Sequence, residues 1–269
     1  MKICIASKDR SSFITTHLLF KPEDVLIFVE PHEVKRYQTF WPDYTIIDIQ
    51  KSNQSICYVR NYIIDYVKEN KIVMADDDIF SFGVRNDEYR YTDLVNTDEM
   101  LKDIEEGLNS YATYSIPFSA FAFFENKASK NQKRFYIDIK IARCFYGINL
   151  EKIHRKNIKY DPRLDVEDID FTIQILLNDE HCCTDFQYLL RTPIFTLGGL
   201  RTIRKLDALT LDSIFRREIK QITEKYGAEF INFSHDAVGY VHSCSINVGL
   251  LMKRKEIARK NYEEYLSRV

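Results

Sequence analysis

The sequence is short of the residues that break or punctuate a chain: 8 glycines, 6 prolines and 1 tryptophan in 269 residues. That scarcity excludes collagen-like, linker-like and low-complexity architectures, which need glycine or proline in bulk. Cysteine is sparse too, with Cys4, Cys57, Cys144, Cys182, Cys183 and Cys244 scattered along the chain. Neither the paired spacing of a zinc site nor the density of a disulfide scaffold is present, so these read as reduced, mostly buried thiols. No stretch approaches the roughly 18 consecutive apolar residues of a membrane span. The run Ile3 to Ala6, beside Lys2 and Lys8, is too brief for the apolar region of a signal peptide. The expectation is a soluble, cytoplasmic protein with no membrane partner and no obligate protein partner. Charge excess is also missing, since 38 Lys and Arg face 40 Asp and Glu for a formal net charge of -2. A balance of that size demands no polyanion, so nucleic acid would have to be met by local basic patches.

What the chain does have is apolar content, 45% of its residues, enough for a full core in one large domain spanning residues 1–269. Usage rich in Ile, Lys, Asn, Tyr and Phe points to an AT-rich genome, such as that of a phage or a low-GC bacterium. The first eighty residues alternate short β-rich runs with amphipathic ones. Lys2 to Ala6, Val25 to Val29, Thr45 to Ile49 and Ile72 to Ala75 read as strands, continuous in the manner of buried parallel strands. Between them His32 to Phe40 and Gln54 to Glu69 have helical periodicity, with Ile56, Val59, Ile63 and Val67 on one face and Ser52 or Asn53 as N-cap. This βαβ series predicts an α/β nucleotide-binding fold with its site at the strand C-termini.

The pattern then changes. A helix from about Thr97 to Ser110 precedes strand-like segments at Ile116 to Phe124 and Phe135 to Tyr146, the latter alternating as a half-buried antiparallel strand does. A helix over Val166 to Leu177, a strand near Phe186 to Leu190, a Gly198-Gly199 turn, a helix from roughly Asp207 to Tyr226 and a basic terminal helix complete the reading. The predicted class is a mixed, Rossmann-like sheet flanked by helices, with a C-terminal helical elaboration.

The strongest chemical feature is Ile72-Val73-Met74-Ala75-Asp76-Asp77-Asp78-Ile79, where an apolar strand runs into three carboxylates. Their mutual repulsion calls for a compensating cation. At a strand end, two of them suit Mg²⁺ or Mn²⁺, whose remaining positions would take the diphosphate of a nucleotide. The alternative is an acidic turn capping the next element.

Together with Ile5-Ala6-Ser7-Lys8-Asp9-Arg10 and Tyr58-Val59-Arg60-Asn61, the Met74-to-Asp78 segment resembles the first half of a GT-A-type glycosyltransferase. Over roughly its first 200 residues the chain is most similar to the TET-associated glycosyltransferases, a family that includes phage glucosyl-DNA β-glucosyltransferases. The resemblance implies a nucleotide-sugar-binding half at about residues 1–95 and an acceptor half at 96–269. It implies a UDP-sugar donor, with Ser7, Asp9, Arg10 and Glu30 lining the nucleoside pocket and Arg60 facing base or diphosphate. It also implies Asp76 and Asp78 as ligands of Mn²⁺ or Mg²⁺, with Asp77 orienting the donor.

A second acidic run, Asp165-Val166-Glu167-Asp168-Ile169-Asp170-Phe171, resembles the Glu-Asp motif of inverting members, which makes Asp168 the base, with Glu167 beside it. Placed at a helix N-terminus, these carboxylates would also complement the helix dipole, and that alone is a common reason for them. Some GT-A enzymes add a late histidine to the metal, a role open to His242. Basic clusters at Lys130, Lys133 and Arg134, at Arg201, Arg204 and Lys205, at Arg216, Arg217 and Lys220, and at Lys253 to Lys255 offer contacts to phosphates. Arg201, Arg204 and Lys205, beside the glycine pair, are the expected acceptor-binding set. The expected acceptor is DNA carrying hydroxymethylated or already glucosylated cytosine. The competing readings are transfer to a cell-wall polymer, protein or small molecule, a metal-dependent phosphohydrolase or nuclease, and a non-catalytic binding module.

Overall fold

A computed structural model describes residues 1–93, 97–119, 131–139, 141, 144–164, 166–192, 208–235 and 241–268, with the backbone alone at 119, 208–212, 214–215, 234–235 and 241–244. Strands β1 (Lys2–Ala6), β2 (Val25–Val29), β3 (Thr45–Asp48) and β4 (Lys71–Ala75) run parallel, in the order β3-β2-β1-β4. Helices α1 (Val34–Phe40) and α2 (Ile56–Tyr66) lie between them in sequence. The α2 helix starts later than the periodicity predicts. Ser55, not Ser52 or Asn53, is the cap, its side chain accepting from the Tyr58 amide, and Asn53 itself sits at a left-handed φ of 56°.

The sheet continues past β4 through antiparallel β10 (Phe145–Asn149) to β7 (Thr113–Ser115), β11 (Cys182–Asp185) and the edge strand β9 (Phe135–Ile137), making eight strands in all. Both faces are covered, which is why the strands read as unbroken apolar runs. On one face Ile3, Ile5, Val25, Ile27, Val73 and Ala75 pack with Met100, Ile104 and Leu108 of α3 (Thr97–Ser110). Gly147 permits that approach. A Cβ there would stand 2.5 Å from the Ile104 Cγ2 and 2.8 Å from the Leu108 Cδ1. On the other face Cys4, Ile72, Met74, Tyr146 and Ile148 pack with Ile63 and Ile64 of α2 and with Phe171 and Ile175 of α5 (Glu167–Leu177). Cys4, Cys57, Cys144, Cys182 and Cys183 are all buried free thiols.

One long predicted strand divides. The run Phe135 to Tyr146 breaks after Ile137, where Asp138 takes a φ of 59° and its carboxylate accepts from the Cys182 amide at 3.2 Å. Of the run Ile116 to Phe124 the described residues show only β8 (Phe118–Ser119), with β7 ending just before it at Ser115. The strand expected near Phe186 to Leu190 is β12 (Tyr188–Arg191), and β11, across a turn before it, has no counterpart in the sequence reading. With β5 (Ser81–Arg85), β6 (Tyr91–Asp93) and β8, β12 forms a second sheet ordered β6-β5-β12-β8.

The C-terminal part contains α6 (Ala208–Tyr226), the hairpin β13 (Ile231–His235) and β14 (Val241–Ile246), α7 (Val248–Lys253) and α8 (Lys255–Ser267). The helices are the C-terminal helical elaboration expected there, and the hairpin adds to them. It packs on the outer side of α5, where Ile169, Ile173, Leu176 and Leu177 meet Ile222, Tyr226, Phe230, Ile246 and Leu251. Every residue of α5 from Asp168 to Leu177 is therefore buried. No described helix is long and apolar enough to cross a membrane.

Candidate active site

Strands β1, β2 and β4 end side by side, so the loops after them converge on one edge of the sheet. The loop after β4 carries Asp76, Asp77 and Asp78. It is clamped from the segment Thr15–Thr16: the Thr15 amide donates to the Asp77 carbonyl at 3.0 Å, and the Thr16 hydroxyl donates to the Asp76 carbonyl at 2.6 Å. The Asp76 amide donates to the Cys144 carbonyl at 2.8 Å. The backbone of the triplet is therefore fixed before its own side chains are considered.

Its side chains have different neighbours. Asp77 is buried, accepting from the Ser7 hydroxyl at 2.5 Å and pairing with the Arg10 guanidinium. Burial raises its pKa, with Arg10 and Ser7 acting in the opposite direction. Asp78 accepts from Arg10 Nη1 at 3.1 Å and from the Thr192 hydroxyl at 2.9 Å. Asp76 keeps 37% of its side chain exposed, with Arg60 Nη2 3.7 Å from its Oδ1. Burial of its surroundings pushes the Asp76 carboxyl up to about 6, against the pull of Arg60. The sequence called for a cation to offset three adjacent aspartates. The protein supplies two of its own, Arg10 and Arg60, and leaves the Asp76 edge open.

The residues that the resemblance assigns to the nucleoside pocket also lie near this edge. Ser7 shares a 2.7 Å hydrogen bond with the buried Tyr37 hydroxyl, which also accepts from the Arg10 amide at 3.1 Å. Glu30, at the end of β2, accepts from Lys8 Nζ at 2.7 Å and from the Gln54 amide at 3.2 Å. Burial works to raise the Glu30 pKa, but these partners outweigh it and hold the carboxyl below its ordinary value. Asp9, at a left-handed φ of 56°, donates its amide to Glu33 Oε1 at 2.7 Å. Asp9, His32 and Glu33 bring potential ligand atoms within 4.8 Å of one another, at a different point from the aspartate triplet.

The second acidic motif opens α5. Glu167 accepts from Arg60 Nη1 at 2.8 Å, so one guanidinium reaches both acidic motifs. Asp168 is buried, and its Oδ1 accepts from the Ile169 amide at 2.9 Å. Asp170 faces the other way, into the C-terminal part, against Lys225 Nζ at 2.6 Å and the Tyr226 hydroxyl at 2.7 Å. Arg60 is no surface arginine. It is packed over the rings of Tyr146 and Tyr160 at 5.8 and 5.6 Å.

Several residues in this network carry no local sequence signal. Tyr37, Thr15, Thr16, Thr192, Tyr146 and Lys225 act on partners far away in the chain, and only the fold brings them there. Of the remaining expected residues, His242 lies on β14 in a stretch where the backbone alone is described. Arg201, Arg204 and Lys205 lie outside the described residues, as does the Gly198-Gly199 turn. Among the other basic groups, Arg134 is paired with Asp103 and Asp185, and Lys255 with Asp179. Arg216, Arg217 and Lys220 are exposed on α6.

Among solved structures, a mannosyltransferase from Pyrobaculum calidifontis in complex with GDP-Man and Mn²⁺ matches with a TM-score of 0.53 at 13% identity, over 81% of this chain and 64% of its own. A 1–349 portion of S. aureus TarS in complex with UDP-GlcNAc gives 0.49 at 12% identity, over 83% of this chain and 67% of its own. This chain thus spans about two thirds of the length of either. No curated protein matches the sequence. A mixed sheet flanked by helices, as found here, is the fold of the GT-A-type glycosyltransferases. The family model for TET-Associated Glycosyltransferase matches residues 1–191, and the chain belongs to that family.

Proposed function

We propose that the protein transfers glucose from UDP-glucose to hydroxymethylated or already glucosylated cytosine in DNA, with inversion at the anomeric carbon. The observation that carries the transfer reading is the meeting of the two acidic motifs through Arg60, which brings the donor-side triplet and the start of α5 to one site. Family membership supports the choice of acceptor.

In this reading Ser7, Asp9, Arg10 and Glu30 receive the nucleoside, and Asp77, already held by Ser7 and Arg10, fixes their mutual orientation. A divalent ion fits Asp76 and Asp78. Both offer hard carboxylate oxygens, which suit Mg²⁺ or Mn²⁺, and Asp76 has an open edge. His242 is the further candidate ligand. When bound, such an ion neutralises charge on the departing diphosphate. Asp168 accepts the proton of the acceptor hydroxyl as its oxygen attacks the anomeric carbon, and the bond from that carbon to the diphosphate oxygen breaks. UDP leaves, and the α-linked donor sugar becomes β-linked. A flipped or major-groove base presents the hydroxyl, with phosphates met by Arg201, Arg204 and Lys205 and by the exposed Arg216, Arg217 and Lys220.

Labelled UDP-glucose offered with Mn²⁺ to plain, hydroxymethylated and glucosylated DNA tests the proposal. The expected result is label on one or both modified DNAs and none on plain DNA. No transfer to either modified DNA would remove the acceptor. Wild-type turnover by Asp168→Asn would remove the base, and phosphate release without sugar transfer would favour a phosphohydrolase instead.

A further inference from the structure

Arg60 belongs to α2, on the side opposite the acceptor half in sequence, yet its charged end lies between the two acidic motifs. Its side chain is only 6% exposed, with Nη1 2.8 Å from Glu167 Oε1 and Nη2 3.7 Å from Asp76 Oδ1. The guanidinium lies over the rings of Tyr146 of β10 and of Tyr160, whose hydroxyls share a 2.6 Å hydrogen bond. Tyr160 stacks on Phe171 of α5 with ring centroids 4.1 Å apart and planes 7° from parallel. The next residue repeats the link: Asn61 donates to the Tyr160 carbonyl at 2.8 Å and accepts from the Tyr160 amide at 2.9 Å. Arg60 and Asn61 thus tie α2 to the aspartate loop, to the turn before α5 and to α5 itself.

An arginine that is 6% exposed, hydrogen-bonded to Glu167, 3.7 Å from Asp76 and packed against two rings has little of its surface left for a nucleotide. A guanidinium is a rigid planar fork, suited to holding two acceptors at a set separation, which a lysine cannot do. We infer that Arg60 is a positioning residue, which sets the start of α5, and with it Asp168, against the donor-side carboxylate Asp76, instead of binding the base or diphosphate of the donor. The inference rests on the proposed role of Asp168 as base.

The test compares Arg60→Gln, Arg60→Lys, Glu167→Gln and the double variant Arg60→Gln/Glu167→Gln with wild type. UDP release from UDP-glucose is measured with modified DNA or with water as acceptor, and donor affinity by calorimetry with Mn²⁺. Misplacing the base by about 1 Å should cost roughly 100-fold in turnover. Arg60→Gln and Arg60→Lys should each lose about that much in kcat, while donor Kd stays within about twofold. The double variant should be no worse than either single glutamine variant, as expected for two residues acting as a unit.

A rise of about tenfold or more in donor Kd, with kcat at saturation unchanged, would overturn the inference in favour of direct donor contact. Full rescue by lysine, or multiplicative losses in the double variant, would overturn it as well. The double variant removes the pair together, so the part-buried Glu167 carboxylate does not outlast its Arg60 partner if Arg60→Gln alone fails to fold. Asp168→Asn separates the two claims. Wild-type turnover there removes the base assignment, whereas an inactive Asp168→Asn with a fully active Arg60→Gln removes only the positioning role.

Discussion

The carboxyl of Asp76 is raised to about 6 by burial of its surroundings and by Asp78 and Asp77, in spite of Arg60. An acid whose folded pKa lies above its unfolded value binds its proton more tightly when folded. Its contribution to stability is therefore greatest below the unfolded value of about 4 and is lost as pH rises through about 6. At pH 7 the ionised side chain is therefore a cost to stability. Asp76→Asn is expected to melt at the same or a higher temperature than wild type in metal-free buffer at pH 7, while sugar transfer falls by orders of magnitude. A large drop in Tm would show that Asp76 supports the fold instead. His17 runs the other way. It is fully buried in the turn Thr16–Leu19, edge-on to Trp41 at 4.1 Å and Tyr44 at 4.6 Å, and among the described residues neither ring nitrogen has a hydrogen-bond partner. Burial lowers its pKa from 6.5 to about 4. The unfolded chain takes up that proton first, so stability is complete above pH 6.5 and falls toward pH 4, by about 3 kcal/mol in all. His17→Phe keeps a ring against Trp41 and Tyr44. It should lose less stability than wild type between pH 7 and 4.5 in urea titrations, and equal losses would refute the assignment.

Helix α5 is the element on which most interactions converge, and its inner and outer sides were legible to different degrees. The motif Glu167-Asp168 stands out as carboxylates before an apolar run, and the helix was read within one residue of its observed start. That Asp170 turns outward could not be read, because its partner Lys225 is 55 positions later in the chain. Lys225 is 1% exposed, with Nζ 2.6 Å from Asp170 and 3.1 Å from Asp161, and lies over the rings of Tyr226, Tyr262 and Tyr265. Lys225→Met would leave the two acids facing one another in a buried site, with Arg163 on Asp161 as the nearest remaining cation. The expected cost is about 3–5 kcal/mol, read as a fall in the urea midpoint. Adding Asp170→Asn should recover part of it, and strictly additive losses would show that the two do not form one unit. The parallel strands β1 to β4 were legible because burial on both faces writes itself as a continuous apolar run. The run Phe135 to Tyr146 misled for a related reason: its alternation is that of a strand, but the break at Asp138 comes from a tertiary bond to the Cys182 amide.

Across the whole molecule the family match and the packing divide the chain at different places. The family match ends at residue 191, whereas the core on the outer side of α5 draws on residues as late as Ala258. Ile169, Ile173, Leu176 and Leu177 bury their side chains against Ile222, Tyr226, Phe230 and Leu251, and each such side chain contributes about 1.5–3 kcal/mol when fully buried. Asp170, inside the same surface, has Lys225 as its cation. Net stability of a domain is about 5–15 kcal/mol, so loss of these contacts alone is of a size to unfold the rest. A fragment of residues 1–191 is therefore expected to aggregate or to show no cooperative thermal transition by circular dichroism, while the whole chain unfolds in one. A soluble fragment with the Tm of the whole chain would mean that the C-terminal part is an appendage. In that case α5, and the placement of Asp168 with it, would depend only on the side that faces the sheet and Arg60.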